Sequence, residues 1–183
     1  AYQHAIQHHF LGLCLVPANE KLFQYYGKMG FENHFYHKKY IFDWSEYDKN
    51  LRTDLSIKPI SIDPYLELRN SYLSSKNGII WDAAHLTLVE KEYSQQKGGF
   101  FTLQNGLEIT GFGFYYKSNF KTFIPELITT QNGNEVASLF FNYLETNYIE
   151  ITTPEKEFCN GMIKWNPEFE QKTKSGYLSF SLE

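Results

Sequence analysis

Cysteine is scarce. The 183 residues contain two, Cys14 and Cys159. A small fold held together by disulfides is therefore excluded, and two reduced thiols in a cytoplasmic setting are expected. No stretch of about 18 apolar residues occurs, so no segment reads as a membrane-spanning helix. No basic-then-apolar leader pattern opens the sequence either, and a soluble protein is expected. Positive charge is in deficit: 17 Lys and Arg stand against 21 Asp and Glu, a formal net charge of −4. That balance argues against nucleic acid or an anionic membrane as the main partner. What the chain has in abundance is rings. Fourteen Tyr, 16 Phe and 3 Trp bring aromatics to 18%, within a hydrophobic content of 42%. This is ample for a packed core, and the length suits one large domain or two small ones.

The most informative stretch runs from Leu11 to Phe31. Leu11 to Val16 is a short apolar run, which predicts a strand buried on both faces of a mainly parallel sheet. Pro17 stops it. Asn19 is a good N-cap, and Glu20 puts a carboxylate in the first helical turn, where the macrodipole favours it. Leu22, Tyr25, Tyr26 and Met29 recur at i, i+3, i+4 and i+7 and form one apolar face. Gly30 predicts a left-handed C′ residue, with Phe31 folding back on the last turn as in a Schellman motif.

This stretch resembles the GNAT acyltransferases, the Gcn5-related N-acetyltransferase superfamily. Their late strand and following helix carry a pattern like Asn-x-x-(apolar)-x-x-(aromatic)-Tyr-x-Lys-(apolar)-Gly-Phe, matched here from Asn19 through Phe23, Tyr25, Tyr26, Lys28 and Met29 to Gly30-Phe31. The likeness covers about twenty residues and is specific in spacing. It implies acetyl-CoA as co-substrate, bordered by Val16, Asn19 and Phe23, with Tyr26 as the acid that protonates the departing thiolate. A phenol of pKa about 10 suits that task, because it keeps its proton at neutral pH until charge develops beside it. Core packing is the competing role for Tyr26, and capping alone for Asn19. The family's Gly-rich pyrophosphate loop would fall before residue 1. The chain is thus expected to be N-terminally incomplete, to carry only part of the cofactor site, and to be weak or inactive alone.

Beyond Phe31, the run Glu32 to Phe42 alternates as one or two strands, and residues 44–58 read as a linker in which Trp44 and Tyr47 dock on a neighbour. The pattern then restarts. A helix opens at Asp63 or Pro64, and a second is capped by Asp82. Three antiparallel strands follow within 100–130, turning at Asn105-Gly106 and Ser118-Asn119. A helix over 135–148, a strand over 149–153, a link over 154–160 and strands around Gly161-Met162-Ile163 and 177–182 complete the order. It is the GNAT order again, but Gln131 to Glu135 lacks the Gly-x-Gly spacing. The expected fold class is therefore α/β (α+β), a GNAT-like mixed sheet flanked by helices. Residues 1–43 would be part of a first copy, 44–58 a linker, and 59–183 a degenerate second copy.

Other chemistry is thin. His4 and His8 share an i, i+4 spacing without the Glu of a metalloprotease helix, so a solvated face is expected and no metal site. Glu126 lies mid-strand where the family can place a general base; a strand carboxylate on an open face or in an ion pair is the expected reading. No Ser/His/Asp grouping, paired-cysteine motif or nucleotide loop occurs. The resemblance implies an acyl-CoA-dependent N-acyltransferase acting on an amine-bearing small molecule or peptide. The alternative is a non-catalytic binding or assembly module presenting rings such as Tyr115 and Tyr116. Monomer and homodimer both stay open.

Overall fold

The computed structural model describes residues 1–47, 53–74, 76–168 and 176–178. The middle of the expected linker and residues 179–182 of the expected last strand lie outside them. In chain order the elements are α1 (Tyr2–Gln7), β1 (Gly12–Leu15), α2 (Glu20–Lys28), β2 (Glu32–Asp43), β3 (Leu55–Ile60), α3 (Ile62–Ser74) and β4 (Asn77–Gly78). Then follow α4 (Ala83–Ser94), β5 (Gly99–Asn105), β6 (Glu108–Ser118), β7 (Lys121–Thr129), α5 (Gly133–Tyr143), β8 (Tyr148–Trp165) and β9 (Gly176–Tyr177). No helix among the described residues is long and apolar enough to cross a membrane. The chain divides into two compact units: Ala1–Lys38, Lys76–Ile79 and Glu155–Glu183 form one, and Lys39–Ser75 with Ile80–Pro154 form the other.

The larger unit is a mixed sheet with helices. Strand β3 pairs antiparallel with β5, β5 with β6, and β6 with β7, whereas β7 pairs parallel with β8, Lys121 to Ile124 matching Tyr148 to Ile151. A parallel pair needs a crossover, and α5 supplies it. Its N-cap is Asn132, whose side chain accepts from the Asn134 amide, and it buries Val136, Ala137, Phe140 and Phe141. These meet Phe101, Leu103, Ile124, Leu127, Ile149 and Ile151 in one core cluster. Burying each large side chain contributes roughly 1.5–3 kcal/mol, so packing rather than propensity holds this helix. Trp44 and Tyr47 do dock, each with its ring about 5 Å from Phe141 (5.1 and 5.0 Å).

The neighbouring strand positions Phe100, Phe112 and Phe114 meet α3 and α4, with the Tyr65 ring 4.4 Å from Phe100 and Tyr93 5.5 Å from Phe114. The same register sets Glu126 opposite Phe114. Gly113 is required between them, because a Cβ there would lie 2.4 Å from the Glu126 carbonyl oxygen. Asp82 caps α4 as expected, accepting from the His85 amide at 2.8 Å.

The smaller unit corrects the reading of the opening strand. Strand β1 pairs antiparallel with β8, Gly12 opposite Trp165 and Leu15 opposite Met162. It is not the doubly buried parallel strand expected: Cys14 is exposed, and Leu11 and Val16 are 61% and 45% exposed. Residues 154–160, expected as a link, are instead the middle of the 18-residue strand β8. In this unit β8 neighbours β2, and short parallel pairings join β2 to β9 and β9 to β4. Tyr2 donates its hydroxyl to the Trp165 carbonyl at 2.6 Å, tying α1 to the same strand. Both units combine helices with parallel and antiparallel pairings, so the mixed α/β class holds.

Candidate functional site

Helix α2 is built as its sequence dictates. Asn19 is extended (φ −162, ψ 168) and its side chain accepts the Leu22 amide at 3.2 Å. At the other end Gly30 takes φ +84. The Phe31 amide donates to the Tyr26 carbonyl at 3.1 Å and the Gly30 amide to the Gly27 carbonyl at 3.0 Å. These are the two bonds of a Schellman motif, and the ring of Phe31 meets that of Tyr26 at 5.8 Å, edge to face. Lys164 of β8 then donates to the Met29 carbonyl at 2.7 Å, a cation on the helix's negative end. The helix is fixed at both termini.

Its apolar face is not where the pattern puts it. None of its residues is buried, and Tyr25 and Met29 are 52% and 46% exposed. The opposite flank, Glu20, Phe23, Gln24 and Gly27, forms one side of a cleft of about 640 Å³. Pro17, Ala18, Asn19 and Phe31, with Asn33 of β2 and Cys159 and Met162 of β8, complete its lining. Of the four expected site residues, Asn19 and Phe23 line the cleft; Val16 and Tyr26 do not. Tyr26 is half-buried between Tyr25 and Phe31. Asn19, Phe23 and Tyr26 nevertheless fall at i, i+4 and i+7, a single row along the helix.

The cleft holds little charge. Glu20 is the one carboxylate among its lining residues, which include no Lys, Arg or His. The Cys159 thiol donates to the Gly161 carbonyl at 3.3 Å. Burial pushes its pKa above the usual thiol value, against smaller pulls from the Gly161 and His34 amides and from Lys156. His34, just past Asn33, is buried between the rings of Phe35 and Trp165, and that burial lowers its pKa. Sequence reasoning missed Gln24, Asn33, Cys159 and Met162. The last two are brought to α2 by a strand pairing that no local pattern announces.

The remaining candidates are structural. Glu126 is fully buried, held by Arg69 Nε at 2.9 and 3.3 Å to its two oxygens and by the Tyr65 hydroxyl. Burial, with Glu126 nearby, raises the pKa of Tyr72. Tyr115 packs on Phe101 and Phe140, and Tyr116 stacks between Tyr93 and Phe123. His4 and His8 lie ring to ring at 4.1 Å, and among the described residues no group of three His, Cys, Asp or Glu could hold a metal.

No family model and no curated protein matches the sequence. Solved structures do match in shape. A GCN5-related N-acetyltransferase from Anabaena variabilis superposes with a TM-score of 0.64 at 12% identity, over 88% of this chain and 47% of that one. A probable N-acyltransferase from Enterococcus faecalis gives 0.62 at 14% identity, over 88% and 47%. Eis1 from Mycobacterium abscessus gives 0.54 at 9% identity, over 91% and 50%. The chain thus spans about half the length of these proteins. At such identities the likeness is one of architecture, and on it the chain has the fold of the GCN5-related N-acetyltransferases, the GNAT fold.

Proposed function

We propose that the chain is part of an acyl-CoA-dependent N-acyltransferase that transfers an acetyl group to an amine. The observation that carries this reading is Tyr26. It stands on a helix pinned at both ends beside the cleft, it is half-buried, and its hydroxyl makes no hydrogen bond among the described residues. Val16, Asn19 and Phe23 are the proposed neighbours of the thioester end. These residues suit an uncharged arm, whereas the cleft has no cation for phosphates, which residues outside its lining would have to hold.

Bound acyl-CoA supplies the acyl carbon as a thioester, at which the neutral amine forms a C–N bond as the C–S bond breaks. Tyr26 holds the proton that the departing sulfur takes; the acylated nitrogen gives up its extra proton to solvent, and solvent returns one to the phenol. Val16, at the end of β1, and Phe23, on the row shared with Tyr26, exclude water from that sulfur. The helix N-terminus at Asn19 offers backbone N–H donors toward the same end of the row. Acetyl-CoA binding to the full-length protein, followed by calorimetry, tests the first half of the reading. Replacing Tyr26 with Phe tests the second: turnover should fall about 10²-fold or more with binding little changed. Unchanged turnover removes Tyr26 as the acid.

A further inference from the structure

We infer that a groove of the larger unit, between α3 and the strands β3 and β5, binds a small zwitterion with an apolar body, of which an apolar α-amino acid is the simplest. The inference is independent of the acyl-transfer reading, because every residue lining the groove belongs to the larger unit. The groove follows from how α3 lies on the sheet. One row of the helix, Tyr65, Arg69 and Leu73, is buried, and Glu126 holds the first two. The adjacent row, Pro64, Glu67, Leu68 and Ser71 at i, i+3, i+4 and i+7, borders the groove instead. Strand residues two apart share a face, and the register sets Lys58 opposite Thr102 and Gln104 opposite Ile109. Lys58, Ile60, Thr102, Gln104 and Ile109 thus reach the groove from three strands, and it encloses about 440 Å³, the size of a small-molecule site.

Its chemistry is two-signed. Lys58 from the strand and Glu67 from the helix are the charged lining residues, and neither side chain has an ion pair or hydrogen bond among the described residues, with each other or elsewhere. A ligand of one charge is drawn by one of them and opposed by the other, whereas a zwitterion satisfies both. Ile60, Pro64, Leu68 and Ile109 supply apolar wall for its body. Thr102 lines the groove although it is only 1% exposed. Its hydroxyl donates to the Lys58 carbonyl and accepts from Gln104 Nε2, both at 3.4 Å, longer than an ordinary hydrogen bond. These groups can turn to a ligand's ammonium or carboxylate without losing a strong bond.

Methyl NMR of the full-length protein labelled at isoleucine Cδ1 locates the ligand, since Ile60 and Ile109 line the groove while Ile124 and Ile151 belong to the core cluster with α5. Four probes are titrated: L-leucine, leucyl-leucine, isoamylamine and 4-methylpentanoate. L-Leucine should shift Ile60 and Ile109 saturably, leave Ile124 and Ile151 in place, and bind about threefold or more tighter than the amine or the acid. Tighter binding by leucyl-leucine keeps the zwitterion site and names a short peptide as its source. Lys58 and Glu67 are exposed, so their variants should fold normally. Lys58→Gln and Glu67→Gln should each raise the Kd for leucine about two- to fivefold, the range for one exposed ion pair. The same variants should act oppositely on the singly charged probes: Lys58→Gln tightens isoamylamine and Glu67→Gln tightens 4-methylpentanoate. No saturable shift at Ile60 and Ile109, equal binding of leucine, amine and acid, or an unchanged leucine Kd in both variants overturns the assignment.

Discussion

Replacing Glu126 with Gln is expected to destabilise the larger unit severely, and the size follows from its surroundings. Glu126 and Arg69 are both 0% exposed. The guanidinium Nε reaches both carboxylate oxygens, and the Tyr65 hydroxyl donates to one of them. Gln keeps the shape and removes the charge, leaving Arg69 ionised in the core without its counter-ion. Removing one member of a buried pair costs about 3–5 kcal/mol, because the surviving charge keeps its desolvation penalty. For a chain of this size about 2–4 °C of melting temperature is lost per kcal/mol, so a fall of about 6–20 °C is expected. Urea unfolding followed by tryptophan fluorescence reads it directly, since Trp44 and Trp81 lie in this unit. The double variant Arg69→Met, Glu126→Leu removes both charges and should recover most of the loss. A cost below about 1 kcal/mol for Glu126→Gln, or a double variant as damaged as the single, would refute the reasoning. Loss of turnover at unchanged stability would instead make Glu126 a catalytic base.

Two glycines give sharper local tests. Gly113→Ala drives a Cβ to 2.4 Å from the Glu126 carbonyl and 2.9 Å from Phe101 Cζ. Neither the strand nor the packed ring can retreat, so a loss of about 1–3 kcal/mol is expected in the same urea experiment, and a neutral result would contradict the register. Gly30→Ala forces an alanine to φ +84, while its Cβ would make only ordinary van der Waals contact, 3.6 Å, with Cε and Nζ of Lys164. The cost of about 1–2 kcal/mol is then backbone strain alone, and hydrogen exchange should quicken at the Gly30 and Phe31 amides. Unchanged exchange would mean the Schellman turn is not what ends α2.

Local features of the fold were legible because short-range chemistry writes them. Asn19 and Asp82 announce caps, Gly30 announces a stop, and Asn105-Gly106 announces a reversal; each is observed. The strand positions around Phe100, Phe112 and Phe114 followed from ring-rich alternation. What failed was long-range. Nothing near Leu13 or Cys14 reveals that their partners are Lys164 and Ile163, about 150 residues on. A short apolar run looks the same whether it is central or on an edge, so burial was overestimated. Residues 155–158 are all exposed, and their charges read as a loop although β8 runs straight through them. The same blindness hid half of the cleft. Asn19 and Phe23 could be named from α2 alone, but Cys159 and Met162 reach it by pairing. Periodicity identified an apolar stripe on α2; it could not say that the other flank would border the cleft.

The central claim is that Tyr26 gives its proton to the leaving sulfur. Its most direct measurement compares the full-length protein with its Tyr26→Phe variant on two acetyl thioesters, one of coenzyme A and one of an aryl thiol that leaves readily as the anion. If the phenol protonates the sulfur, the variant's defect in kcat should be large with the coenzyme A thioester and nearly vanish with the aryl one. An equal defect with both would contradict the assignment and leave Tyr26 as a packing residue on the exposed face of α2.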